Sequence, residues 1–196
     1  VAHHEPMRIT GGAARGIALK TPRGAALRPA TDQLREAVFS SLGGERVAGA
    51  RVLDLFAGTG AYGLEAASRG AAAVTFVENK AAHLKLCRDN AAAVLKAIGG
   101  VAVPELTFRG GDAARRAVEP GTMRLVFLDP PYEEWERRGA DLLAAAAEAL
   151  EGGGEARLIA EAPGESALQR HAAGLELLRR LGRGRGQPAA FVFGRP

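Results

Sequence analysis

One cysteine, one tryptophan, two tyrosines and four histidines are all that this chain of 196 residues holds of thiol, imidazole and large aromatic side chains, apart from seven phenylalanines. A lone thiol, Cys87, cannot form an internal disulfide, which fits a reducing compartment. It falls within a helical pattern, where a packed thiol is expected and a nucleophile is not. The histidines outline no metal site: His3 and His4 open a polar stretch ahead of Met7, and His83 and His171 have no partner at metal-binding spacing. Long apolar runs are missing too. None approaches the roughly 18–20 residues that cross a bilayer, and no stretch has the charged, apolar, small-residue order of a signal peptide, so a cytoplasmic protein is expected. Acids are absent from residues 7–31, which carry Arg8, Arg15, Lys20, Arg23 and Arg28, and from residues 177–196, which carry Arg179, Arg180, Arg183, Arg185 and Arg195. Both ends could meet phosphate, although solvated basic segments explain the same pattern when charge is the sole clue.

What the chain does have is a globular composition and alternation. Apolar residues make up 47% and charged ones 24%, values that exclude a disordered or fibrous chain, and the length suits one domain with an appendage. Apolar strand-like segments occupy residues 51–56, 73–77, 125–128 and 156–160, with a weaker one at 106–109. Helical patterns lie between them at 61–69, 80–98 and 139–150; Asn79 is the expected N-cap of the second, and Gly70 and Gly99 are stops. A further helix is expected over 165–172. Two β-like segments, 175–181 and 189–193, follow around "GRGRGQP" and read as an antiparallel pair closing a sheet edge. The sum is an α/β fold with a doubly wound, mostly parallel sheet. Residues 1–46 read as a basic N-terminal extension of hairpin plus helix (31–42, after Pro29), and residues 47–196 as the main domain.

The first strand runs into "VLDLFAGTGAYG", where Gly58, Gly60 and Gly63 follow G-x-G-x-x-G between strand and helix. Such glycines let backbone approach a ligand, and the helix start offers unpaired amides. Glu78, at the end of the second strand, stands where a carboxylate binds ribose hydroxyls. A dinucleotide dehydrogenase fits up to this point. Asp54, four residues before Gly58, separates the alternatives: a fixed carboxylate there repels pyrophosphate but suits a ligand with an ammonium and a sulfonium, such as S-adenosylmethionine. Phe56 belongs to the same loop, and Asp112 in "GGDAA" falls beside the expected adenine position, with a plain capping role as its competitor.

The string "LVFLDPPYEEW" then needs explaining. Asp129 as N-cap with Pro130 at the first helical position accounts for "DP" by local punctuation, but not for Pro131 or Tyr132. Trp135 is expected to pack under a loop, and Arg137 and Arg138 to face solvent or phosphate.

"VLDLFAGTGAYGLEAASRGA" and "FLDPPY" resemble class I S-adenosylmethionine-dependent methyltransferases acting on exocyclic amino groups. With "MRITGGAARGIALKTP", "LRPATDQLREAVFSSL" and "GRGQPAAFVFGR", nearly the whole chain from Met7 resembles the bacterial RsmD-type enzymes. That likeness implies methylation of the N2 amino group of one guanine in small-subunit (16S) ribosomal RNA, and a seven-stranded sheet with an antiparallel last strand. It places Asp129, Pro130, Pro131 and Tyr132 in catalysis, and Asp54, Phe56, Gly58, Gly60, Glu78, Asp112 and Asp129 at the cofactor. Arg28 and Thr31 belong near the methionine end or the base. Arg8, Arg15, Lys20, Arg183 and Arg185 are expected to grip RNA, in a monomer working on an assembling or assembled subunit, with no metal. Methylation of adenine N6, or a noncatalytic RNA-binding module on the same scaffold, are the alternatives.

Overall fold

The computed structural model describes residues 6–22, 30–100, 102–115, 118–163, 168, 173–182 and 187–196, with the backbone alone for residues 30 and 31. Seven strands form one sheet: β1 Arg51–Leu55, β2 Ala73–Glu78, β3 Glu105–Gly110, β4 Leu125–Leu128, β5 Arg157–Pro163, β6 Glu176–Leu181 and β7 Pro188–Gly194. Their order is β3-β2-β1-β4-β5-β7-β6. Strands β1 to β5 pair in parallel, while β7 runs antiparallel to both β5 and β6, as expected for the last strand. Five helices accompany them among the described residues: α1 Ala30–Leu42, α2 Gly44–Val47, α3 Ala61–Ser68, α4 Ala81–Ile98 and α5 Tyr132–Ala149.

Central parallel strands are covered on both faces, so their sequences are apolar throughout and β4, LVFL, is buried at every position. Side-chain alternation divides the core in two. Val52, Phe76, Phe127 and Ile159 face α1, α3 and α4; Leu53, Val77, Leu128 and Ala160 face α5. Continuing that alternation by one residue puts Asp54, Glu78, Asp129 and Glu161 on the α1/α3/α4 side at the C-terminal ends of four strands. The chain turns to opposite sides of the sheet after β1 and after β4, which opens a crevice at those ends.

The N-terminal segment shares this core. Leu34, Val38 and Phe39 of α1 pack with Val52 and Phe127, and residues 7–19 fold back as a hairpin around the Arg8–Ala18 bridge. A buried carboxylate fastens it. Glu65, wholly buried in α3, accepts the Thr10 N–H and hydroxyl at 2.8 Å each and the Nε–H groups of Arg35 at 3.3 Å and Arg69 at 2.8 Å.

Three local expectations are corrected. Asn79 does not cap α4; Lys80 holds the cap position, and Glu78 Oε1 accepts its N–H at 2.8 Å. Helix α5 starts at Tyr132 rather than 139, with non-helical φ/ψ at Arg138. Asp129 is not its N-cap, and Pro130 is not its first residue: Pro131 holds the cap position, with no side-chain cap bond. The expected helix at 165–172 lies outside the described residues except for Leu168. No helix among the described residues is long and apolar enough to cross a membrane.

Candidate active site

The loop after β1 is held by carboxylates from below. Glu78 Oε2 accepts the Gly58 N–H at 3.0 Å while its other oxygen takes Lys80, so one side chain fixes the loops after β1 and β2 together. Asp54 Oδ2 accepts the Gly63 N–H at 2.9 Å in the first turn of α3. Two glycines are required by contact. A Cβ on Gly60, which has φ 80, would lie 2.6 Å from the Cys87 sulfur, and one on Gly63 would lie 2.4 Å from the Phe76 ring. Cys87 is thus packing against the loop, as its helical setting suggested. Phe56 adopts φ 61, a left-handed conformation that costs a non-glycine residue about 1–2 kcal/mol. Asn90 of α4 donates to the carbonyls of Thr59 and Lys20 at 3.0 Å each, joining this loop to the N-terminal hairpin.

The facing wall is the segment after β4. The chain leaves the strand through Asp129, Pro130 and Pro131, the last in extended backbone, and the Pro131 carbonyl accepts the N–H groups of Glu134 and Trp135. With no helix amide to cap, the Asp129 carboxylate turns to the cleft. Trp135 packs against the α5 side of the core and donates its indole N–H to the Glu161 carbonyl at 2.7 Å. That ties the helix after the Asp-Pro-Pro-Tyr segment to the end of β5.

Between the walls lies a cleft of about 710 Å³, within the usual span for small-molecule and cofactor sites. Phe56, Gly58 and Glu78 line one side, Asp129, Tyr132 and Glu161 the other, and Met7, Thr21 and Pro22 of the N-terminal segment also border it. An inner pocket of about 130 Å³ adds Arg35, Asp54 and Tyr62; Asp129 and Glu161 border both spaces. Tyr62 is stacked on Phe127, with centroids 4.9 Å apart, and its hydroxyl donates to Glu161 Oε2 at 2.8 Å.

Burial dominates the electrostatics, and the crowding of carboxylates adds to it. Burial, with a smaller push from Glu78 and opposed by the Gly63 amide, raises Asp54 from 3.8 to about 7. Asp129 is exposed where it borders the cleft. Loss of solvation, then the charges of Glu161 and Asp54, push its carboxyl above the ordinary range. Burial and Glu161 also push the Tyr62 hydroxyl up, so it remains a donor. Such a concentration of acid at one place favours a cationic ligand.

The structure brings Phe56, Gly58, Glu78, Asp129, Pro130, Pro131 and Tyr132 onto the one cleft, with Asp54 on the inner pocket. Gly60 lies beneath, against Cys87. Asp112 does not border either space: its carboxylate accepts from Arg138 at 2.7 Å and from the Ala114 N–H at 3.0 Å, contacts that lower it to about 2. Arg137 and Arg138 both pair with Glu134 on their own helix. Arg8, Arg15 and Lys20 are exposed on the N-terminal hairpin. Arg28, Arg183 and Arg185, and the side chain of Thr31, lie outside the described residues. Glu161 and His83 were missed. A glutamate inside the apolar run "RLIAEAP" is the signal that could have found the first; His83, 3.9 Å from Glu78 and also on the cleft, carried none.

The family described as conserved hypothetical protein 95 matches residues 7–191 of the chain. A putative rRNA methyltransferase, YlbH, from Bacillus subtilis is 35% identical over 131 residues, 65% of this chain and 68% of that protein. Ribosomal RNA small subunit methyltransferase D from Escherichia coli is 39% identical over 135 residues, 68% of this chain and 62% of that protein. Among solved structures, a putative methyltransferase, yhhF, from Escherichia coli superposes with a TM-score of 0.76 at 33% identity, covering 96% of this chain and 97% of the other.

Proposed function

Since the chain belongs to the RsmD family of ribosomal RNA methyltransferases, we propose that it transfers the methyl group of S-adenosylmethionine to the N2 amino group of one guanine in small-subunit ribosomal RNA. The observation that supports this reading best is the pairing across one cleft of the Glu78-anchored glycine loop with the Asp129-Pro-Pro-Tyr132 segment. The donor set fits the cofactor. Asp54, Glu78 and Asp129 converge on the cofactor side of the space; in their ionised form they favour a ligand that carries a sulfonium and an ammonium and would repel a pyrophosphate, which counts against a dehydrogenase.

When bound, S-adenosylmethionine supplies an electrophilic methyl group on sulfur. Glu78, its oxygens already oriented by two backbone amides, has lone pairs for the ribose hydroxyls. Asp129 and the Pro130 carbonyl each accept one N–H of the target amine. That contact would turn the nitrogen lone pair out of conjugation and toward the cofactor side of the cleft, where the methyl group would be supplied. The proton that the amine loses on methylation would pass through Asp129 to water. Neither proline has an N–H to compete for these acceptors. Tyr132 stacks on the base swung out of its RNA, and the exposed Arg8, Arg15 and Lys20 hold phosphate beside the cleft.

The test is incubation with labelled S-adenosylmethionine and small-subunit particles lacking methylation, followed by mass spectrometry of the nucleosides. N2-methylguanosine is expected. Label in N6-methyladenosine instead would overturn the substrate assignment, and binding of the cofactor and RNA without transfer would favour the noncatalytic module.

A further inference from the structure

Building on that reading, we infer that Glu161 recognises the target guanine by accepting its ring N1–H, and so sets the base specificity that Asp129 alone does not. Parallel register pairs Leu128 with Ala160, so the next residue on each strand is Asp129 and Glu161. Alternation turns both to the same face, one strand spacing apart, about 4.8 Å. Both carboxylates border the cleft and the inner pocket. Sheet order separates their tasks: the glycine loop and Glu78 leave β1 and β2 on one side of β4, while β5 with Glu161 lies on the other. The cofactor side and the base side thus meet at Asp129.

Guanine fits two neighbouring carboxylates. Its Watson–Crick edge presents the N2 amino group and the N1–H side by side, two donor positions in a row, whereas adenine N1 and cytosine N3 are lone pairs that a carboxylate repels. An acceptor for the amino group is common to every amino methyltransferase; an acceptor beside it distinguishes guanine. Glu161 is built to hold still. It is 8% exposed, its Oε2 accepts from Tyr62, its carbonyl accepts from Trp135, and Tyr62 is itself held between Phe39 and Phe127. Tyr62 and Trp135 are then positioning residues for the base, acting through Glu161.

The experiment compares small-subunit particles reconstituted on ligated RNA with guanine or 2-aminopurine at the target position. 2-Aminopurine keeps the N2 amino group and replaces the N1–H by a lone pair. The wild-type protein is expected to prefer guanine in kcat/KM by about 100-fold or more. Glu161→Gln, whose amide can accept from Tyr62 and donate to a ring nitrogen, is expected to reduce that preference below tenfold, with the S-adenosylmethionine Kd within about twofold of wild type. Comparing the two preferences cancels the intrinsic reactivity of the two amines. Tyr62→Phe, which leaves the Glu161 carboxyl in place but unheld by the hydroxyl, should lower the preference by a smaller factor and leave the cofactor Kd unchanged. An unchanged preference in Glu161→Gln would overturn the inference while leaving the parent reading intact. So would a cofactor Kd weakened more than tenfold with the preference preserved, which would assign Glu161 to the cofactor's ammonium. Failure of the wild-type protein to methylate the guanine particle would overturn the parent reading and this one with it.

Discussion

Replacing Asp54 by asparagine removes a charge from the carboxylate cluster while keeping an oxygen to accept the Gly63 amide. The wild-type carboxyl titrates near 7 in the folded protein against 3.8 in the reference state. Between those values the folded state binds the extra proton, so the sign is fixed: stability is greatest below about pH 4 and falls as pH rises through 7. At about 1.4 kcal/mol for each pH unit, the fall amounts to about 4 kcal/mol if the whole shift survives water entering the inner pocket. Urea unfolding of the wild type and Asp54→Asn at half-unit steps from pH 4 to 8 reads this effect together with a smaller one at Asp129, whose carboxyl loses the push of the Asp54 charge in the variant and so adds to the same descent. Subtracting the variant's unfolding free energy should give a curve that descends with pH and levels near pH 8. A difference flat to within about 0.5 kcal/mol across the range would refute the argument that burial holds Asp54 protonated.

Asp129→Ala is expected to abolish methyl transfer nearly completely while S-adenosylmethionine still binds by calorimetry; turnover within a fewfold of wild type would exclude its role at the amine. Tyr132 is 37% exposed beside the cleft, so Tyr132→Ala should leave stability within about 0.5 kcal/mol. Its kcat/KM on RNA should nonetheless fall by roughly 5- to 150-fold, the equivalent of about 1–3 kcal/mol of stacking, with Tyr132→Phe close to wild type. Glu65→Ala leaves the Arg35 guanidinium, 2% exposed, with Asp32 and the Arg8 carbonyl but without its buried carboxylate partner, and should cost about 1–3 kcal/mol in urea unfolding. Hydrogen exchange should show the Thr10 amide losing its protection first, since that amide bonds to the deleted carboxylate.

Much of the fold could be read from local pattern because parallel strands buried on both faces are written as uninterrupted apolar runs: β4 was legible to the residue, and β1 and β2 to within one position. The cleft's two walls were legible because glycines and prolines there answer to backbone demands that act over a few residues. What escaped depends on distant partners. Asp112 is engaged by Arg138, 26 residues away, from a helix whose start the two prolines concealed and whose periodicity breaks at Arg138. Glu161 lies one residue past the apolar run expected over 156–160, and only the register of β4 and β5 sets it beside Asp129.

The placement of β7 has a consequence for how the chain folds. Strand β6 joins the sheet through β7, which lies between it and β5 and is buried along its whole length. During synthesis Glu176–Leu181 must therefore wait without a neighbour, and β5 must keep an open edge, until Pro188–Gly194 have been made and inserted antiparallel between them. Such long-range pairing is slow, and an open strand edge is prone to join another chain in the meantime. Six strands precede the one that closes the sheet, so a ribosome stalled before residue 188 would hold an unfinished fold with an adhesive edge.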